Sequence, residues 1–265
     1  MPKNTTPDTD KHLTYAATAL KAPRLVDAAT RLADQARDSG WSHEEYLAAV
    51  LEREVSARVS SGTDIRIRSA GFPQVKTLDE FDWDHQPSLQ QNITALTSGA
   101  FLHEARNVDL LGPPGTGKTY LAIALGVIAA RNHHHVLFNT ATGWVNHLTS
   151  AHQRNELDKE ITRLRRYGLI IIDEVGYLPF DPDAANLFFQ LVSSRYEHAS
   201  LILTSNLAFS AWGGVFGDQA VAAAMIDRIV HHADVLTLKG SSYRLKNAGL
   251  DTLHSVKTMT DKTTN

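Results

Sequence analysis

The chain has 265 residues, 43% of them hydrophobic and 21% charged, enough for one large domain or a core domain with a smaller appendage. It has no cysteine, which excludes disulfides and thiolate-ligated zinc, and no apolar run near the roughly 20 residues that span a bilayer. The polar start MPKNTTPDTDKH lacks a signal-peptide core, so a cytoplasmic protein with no membrane partner is expected; the net charge of −3 excludes a global pull toward nucleic acid.

In chain order, residues 1–12 and 251–265 are rich in Thr, Lys, Asp and Asn and read as frayed tails. From Leu20 to Val59 the pattern is helical. Leu25, Ala29, Leu32 and Ala36 recur on one face, and Gly40 stops that helix. Ser42 and Glu45 have the spacing of a capping box ahead of Tyr46, Leu47, Val50 and Leu51. SSGTD (60–64) is expected to break this second helix, and RSAGFPQVKTLDEFDW reads as an extended connector.

After Asn107 short apolar strands alternate with helices. NVDLLG, HVLFNTA, LIIIDEV, LILTSN and DVLTLKG are five candidate strands, several apolar on both faces as parallel strands covered by helices must be. Asp181 and Pro182 open one crossover helix with preferred N-cap and N1 residue types. The predicted organisation is a helical N-terminal domain over 1–70 with a disordered start, an α/β domain over 71–250 with a five-stranded parallel sheet, and a flexible tail over 251–265.

Between the first strand and the next helix lies Gly112, Pro113, Pro114, Gly115, Thr116, Gly117, Lys118 and Thr119, a match to G-x-x-x-x-G-K-[ST]. Wrapping a polyphosphate in backbone N–H groups requires side chains to be absent where the chain curls most tightly. The helix opening near Gly117 adds its positive end, Lys118 a full charge for the β- and γ-phosphates, and Thr119 a hydroxyl ligand for Mg²⁺. LIIIDE ends a buried strand in two carboxylates. Asp173 is placed to hold Mg²⁺, and Glu174 to act as general base on the attacking water.

Asn206, ending ILTSN, suits orienting water beside a γ-phosphate or capping the next turn; the strand context favours the first. Arg228 lies on a helix with Met225, Ile226, Ile229 and Val230, free to snorkel or to reach a neighbouring subunit's γ-phosphate as an arginine finger. Arg195 competes for that role, and Arg244 is a cation for the nucleotide of its own chain. His133, His134 and His135 read as a solvated loop, His231 and His232 as a helix end, and Trp83, Trp144 and Trp212 as packing residues.

These motifs in this order resemble an AAA+ ATPase. More narrowly, GPPGTGKTYLAIALG, IIIDEVGYLPFD, LFFQLVSSRYE, LTSN, WGGVFGD and HHADVLTLKGSSYRLK, with AGFPQVKTLDEFDW upstream, resemble the IstB-like transposition helper ATPases over residues 20–247. The resemblance implies an AAA+ core, ATP and Mg²⁺ as cofactors, and hydrolysis of ATP; the sequence runs only 37 residues past Arg228, so a lid reduced or absent is expected. It also implies self-assembly as a homo-oligomer on double-stranded DNA with little sequence preference, and a transposase of the same element as partner. Lys118, Thr119, Asp173, Glu174 and Asn206 carry over to nucleotide and metal roles, Arg228 to the finger, and Arg244 to the nucleotide.

A replicative helicase loader of the DnaC type shares this core and is the alternative. A small-molecule P-loop kinase would want an acceptor lid, and the paired DE and TSN argue against it. The resembled family often has an arginine-dense stretch before AGFP, whereas here only Arg66 and Arg68 stand there. The candidate DNA contacts are therefore Arg53, Arg58, Arg66, Arg68 and Lys76, with Arg163, Arg165 and Arg166 as a second set.

Overall fold

The computed structural model describes residues 7–240, 242 and 243. The chain divides into two compact units between Ile65 and Arg66. The first is built from α1 (Pro7–Ala19), α2 (Leu25–Ser39) and most of α3 (His43–Ser69). α1 corrects the expected frayed start from residue 7 onward: Pro7 takes the first helical position and Asp8 and Asp10 sit in the positive first turn. Gly40 ends α2 in the left-handed conformation, φ 64°. The capping box also forms, with Ser42 N–H donating to Glu45 Oε2 (2.7 Å) and Glu45 N–H to Ser42 Oγ (3.2 Å).

The expected break at SSGTD does not occur. α3 runs through Ser60, Ser61, Gly62 and Thr63 to Ser69. These residues are weak helix formers, each costing up to about 1 kcal/mol, but none lacks a backbone donor as proline does. The chain turns out of the helix at Gly71, φ 78°. Ala28, Ala29, Leu32 and Val50 form the small core of the first unit, while Leu47, Leu51, Val55 and Val59, each four residues apart on α3, stay exposed.

The second unit continues through α4 (Gln90–Leu96) and α5 (Ala100–His103) into an alternating series. This comprises β1 (Asn107–Leu111), α6 (Lys118–Arg131), β2 (Val136–Thr140), α7 (Ala141–Gln153), α8 (Leu157–Leu164), β3 (Leu169–Val175), α9 (Pro182–Arg195), β4 (Ser200–Ser205), α10 (Gly213–Phe216), α11 (Gln219–Val230) and β5 (Ala233–Thr237). All strand pairs are parallel, in the order β2-β3-β4-β1-β5.

Alternation along β3 explains why both faces must be covered. Leu169 and Ile171 pack with α4, α5 and α6 on one side, while Ile170 and Ile172 pack with α7, α9 and α11 on the other. Trp144 and Trp212 are core residues as expected, the Trp144 indole donating to the Ile171 carbonyl at 3.0 Å. Because β1 lies between β4 and β5, the loop that leaves it opens inside the sheet's C-terminal edge, where ligands bind in such folds.

One strand position breaks the apolar pattern. Asp109 of β1 is 0% exposed, pairs in register with Leu203 and Val235, and neither carboxylate oxygen has a hydrogen-bond partner among the described residues. Burial alone pushes its pKa well above the usual carboxylate range. The folded state therefore prefers the protonated acid. Its penalty is absent below the unfolded pKa of about 3.9 and grows as pH rises toward the folded value. Asp109→Asn removes the titration at nearly constant shape. Urea denaturation from pH 4.5 to 8.5 should show the variant gaining on the wild type, by up to about 1.4 kcal/mol per pH unit until the folded pKa is passed. A difference independent of pH would show that Asp109 does not titrate on folding.

Candidate functional site

The loop from Gly112 to Gly117 bends so sharply that its glycine positions leave no room for side chains. A Cβ on Gly112 (φ 143°) would sit 2.2 Å from the Leu238 carbonyl oxygen, and one on Gly117 (φ 100°) 2.8 Å from the Phe81 ring. Gly117 is the N-cap of α6, so the loop feeds directly into the positive end of a 14-residue helix. Lys118 is buried at the first helical position, its ammonium donating to the carbonyls of Gly112 (2.6 Å) and Pro113 (2.7 Å). The Thr116 hydroxyl also donates to Pro113 O, at 2.9 Å. The loop is thus held from within in a cradle shape.

Thr119 links the cradle to the sheet. Its hydroxyl donates to Asp173 Oδ1 at 2.9 Å, and the same oxygen accepts from the Thr204 hydroxyl at 2.5 Å. Asp173, 4% exposed at the end of β3, is therefore a buried carboxylate held by two hydroxyls from different elements. The Thr204 hydroxyl in turn accepts the Glu174 backbone N–H at 3.0 Å. Sequence reasoning missed Thr204; its signal was its place in LTSN, two residues before Asn206, on the strand beside the DE pair.

Glu174, just before the last residue of β3, takes the left-handed conformation, φ 61°, at a register shift between β3 and β4. That backbone costs a non-glycine residue about 1–2 kcal/mol. It breaks the period-two alternation, so that consecutive carboxylates serve different places: Asp173 stays buried under the loop while Glu174 is exposed.

Pro114 to Tyr120, Glu174, Thr204 and Asn206 line one cavity of about 540 Å³. Its opposite wall is the connector, through Pro73, Gln74, Lys76, Glu80, Phe81, Asp82 and His85, with Tyr243 nearby. The connector is not a plain extended segment. It carries short 3-10 turns at Leu78–Glu80 and Trp83–His85, and Phe81 packs on Trp83 (4.7 Å) and Tyr120 (5.3 Å). The Tyr120 hydroxyl donates to Thr77 O at 3.0 Å, and burial, then the Glu80 charge, raises its pKa.

The arginines separate. Arg195 is 1% exposed and donates to Leu164 O (2.9 Å) and Ser200 O (3.3 Å), and burial pulls its pKa down to about 10. It fastens α9 to the end of α8 and the start of β4, so a reach toward another subunit is corrected to an internal role. Arg228 is half-buried on α11, 4.4 Å over the Phe189 ring, and is not among the residues lining the cavity. Arg244 lies outside the described residues.

An oxygen set of one buried carboxylate and one hydroxyl beside a phosphate-shaped loop fits a hard divalent cation such as Mg²⁺ and suits no soft metal. The cavity and cradle together have the size and charge for a nucleoside triphosphate.

Comparison with known proteins agrees with this geometry. Residues 15–250 match the family model described as IstB-like ATP binding protein. The chain is 42% identical over 228 residues to a protein named as an ATP-binding protein of insertion sequence IS21 from Pseudomonas aeruginosa, covering 86% of each chain. It is 38% identical over 232 residues to one from insertion sequence IS5376 of Geobacillus stearothermophilus, covering 87% of this chain and 92% of that one. Among solved structures, the DnaC helicase loader aligns with TM-score 0.51 and 18% identity over 66% of this chain and 99% of its own. AMPPCP-bound DnaA from Aquifex aeolicus aligns with TM-score 0.54 and 16% identity over 72% and 57%. These two likenesses concern the fold.

Thr204→Val keeps the shape of the side chain and deletes both of its hydrogen bonds. Asp173 then loses a donor and the Glu174 N–H its acceptor, a loss of about 1–3 kcal/mol. Urea denaturation of the purified variant should show this drop. A midpoint equal to that of the wild type would remove the hydroxyl from its bridging role.

Proposed function

The chain belongs to the IstB-like ATP-binding protein family, and from that premise we propose that it is a Mg²⁺-dependent ATPase that assembles on double-stranded DNA and assists the transposase of the same insertion element, in the cytoplasm. The observation that carries the enzymatic part is the chain of contacts from Thr119 through Asp173 and Thr204 to the Glu174 backbone, directly below the loop. A helicase-loader role shares the fold, but the family match favours the transposition role.

On this reading the backbone of Gly112 to Gly117 cradles the phosphates and Lys118 exchanges its two loop carbonyls for the β- and γ-phosphate oxygens. Thr119 and Asp173 hold Mg²⁺, which when bound neutralises developing phosphate charge. Glu174 takes a proton from the attacking water, and Asn206 orients that water. Arg244 contacts the nucleotide from its own chain. Arg228 acts across a subunit boundary, a role supported by its position away from its own cavity.

Assembly and the protein partner draw support from the exposed apolar row Leu47, Leu51, Val55 and Val59 on α3, a surface that singly scattered residues would not make. For DNA, several expected contacts have partners within the chain. Arg58 donates to Glu54 (3.2 Å) and the Lys21 carbonyl (2.8 Å), Arg66 to the Ala130 carbonyl (2.8 Å), and Arg163 to Glu160. The Arg163 hydrogen bonds, joined by the His147 contact, lower the Glu160 pKa to about 2. Arg53, Arg165 and Arg166 are exposed and make no side-chain hydrogen bond or ion pair with the described residues, and are the better candidates.

Glu174→Gln should bind ATP and lose turnover by roughly 10²-fold or more, whereas Lys118→Ala should lose nucleotide binding. Mixing Glu174→Gln with Arg228→Ala should restore part of the activity, because some junctions then pair an intact base with an intact arginine. Wild-type turnover in Glu174→Gln removes the base assignment, and no recovery in demonstrably mixed oligomers places Arg228 in cis.

DNA affinity is expected to be weak for a single subunit and to rise on ATP-driven assembly, to fall steeply with salt and to vary little with sequence. The measurement is duplex binding with ATP, with ADP and without nucleotide across a salt series, on unrelated sequences. Binding that ignores nucleotide, or that needs one particular sequence, overturns the target-DNA reading.

A further inference from the structure

Away from the cavity, three side chains with no place in the ATP chemistry converge. His231 and His232 stand at the end of α11, and Glu197 stands in the turn between α9 and β4. One donor atom from each lies within 4.8 Å of those of the other two, and all three residues are exposed. The two imidazoles are adjacent in sequence yet not splayed apart: their ring centroids are 4.3 Å apart at an interplanar angle of 67°. Glu197 is delivered to them by a backbone in the left-handed region, φ 58°.

We propose that His231, His232 and Glu197 form a binding site for a divalent transition ion of the zinc class. Two imidazole nitrogens and one carboxylate oxygen suit Zn²⁺, Co²⁺ or Ni²⁺ and discriminate against Mg²⁺ and Ca²⁺, which prefer all-oxygen sets. Three protein ligands leave a fourth position for water, the open form of a tetrahedral site. Donors around such an ion sit about 3.3 Å apart, so closure needs movements of about 1.5 Å or less from side chains that solvent leaves free to turn.

A second contact orients one ligand. The Tyr196 hydroxyl lies 3.0 Å from His231 Nδ1. A ring whose Nδ1–H donates to that oxygen presents Nε2 with its lone pair available, the way metal-bound histidines are commonly held. The Tyr196 hydroxyl also meets the Glu197 carboxylate, and the charges of Asp227, one turn earlier on α11, and of Arg228, which lies over the Phe189 ring, both act on it. An ion here ties the end of α11 to the turn entering β4, and α11 is the helix that carries Arg228. The site stands independently of ATP hydrolysis.

The test uses the full chain, stripped of metal and without nucleotide. Titration with Zn²⁺ in a calorimeter and with Co²⁺ by visible absorption should each give one ion per chain, the cobalt form showing the strong bands of low coordination number, with the thermal midpoint rising on loading. His232→Gln and Glu197→Gln should each weaken that binding by about tenfold or more, Tyr196→Phe should weaken it several-fold, and His134→Gln, in the separate histidine run, should leave it unchanged. Circular dichroism checks that these surface variants keep their helices. No saturable ion, or one equally retained by His232→Gln and Glu197→Gln, overturns the proposal.

Discussion

The buried carboxylate of Asp173 is the point on which the site's geometry turns. A charge at 4% exposure is costly unless it is matched, and here two hydroxyls match it, one from the helix after the loop and one from the neighbouring strand. That requirement ties α6, β3 and β4 together at a single oxygen. The loop before α6 cannot shift without moving Thr119, and β4 cannot slip without moving Thr204. Positioning of the phosphate cradle is thus fixed by the same contacts that make the buried acid tolerable.

The strain at Glu174 follows from the same constraint. In an unbroken strand, neighbouring side chains point to opposite faces, and a carboxylate following Asp173 would be driven toward the packed helices beyond the sheet. The left-handed step and the register shift release it into the cavity instead, and the Thr204 hydroxyl accepts the N–H that the shift would otherwise leave unpaired. A few contacts therefore carry a local cost of about 1–2 kcal/mol, and in return two adjacent acids acquire different surroundings.

What was legible in the sequence followed from local rules. The phosphate loop, the five strands, the Gly40 stop, the Ser42 capping box and the Asp181 cap each depend on a few neighbouring residues, and all of them appear in the structure. Features set by distant partners were not legible. Nothing around Arg195 announces that Leu164 and Ser200 will supply its acceptors, and nothing near His231 announces Glu197. SSGTD misled for a related reason: weak helix propensity is a small local penalty, and the long helix on either side outweighs it. The burial of Asp109 was not legible either, because it follows from the sheet order, which puts β1 between β4 and β5.

The placement of charge bears on why the proposed activities would belong to one molecule. With a net charge of −3, and with Arg58, Arg66 and Arg163 holding partners in the chain, a lone subunit offers few cations to a phosphate backbone. Repetition is then the physical route to useful affinity, since each added subunit multiplies counterion release while the cost of association is met once. Repetition in turn needs a junction that forms under control. A triphosphate held by one subunit and touched by Arg228 of the next would, on the proposed reading, supply it, because the arginine would make its contact only with nucleotide and neighbour both present. On the proposed reading, weak cationic character is therefore the condition under which nucleotide state can decide whether DNA is held at all.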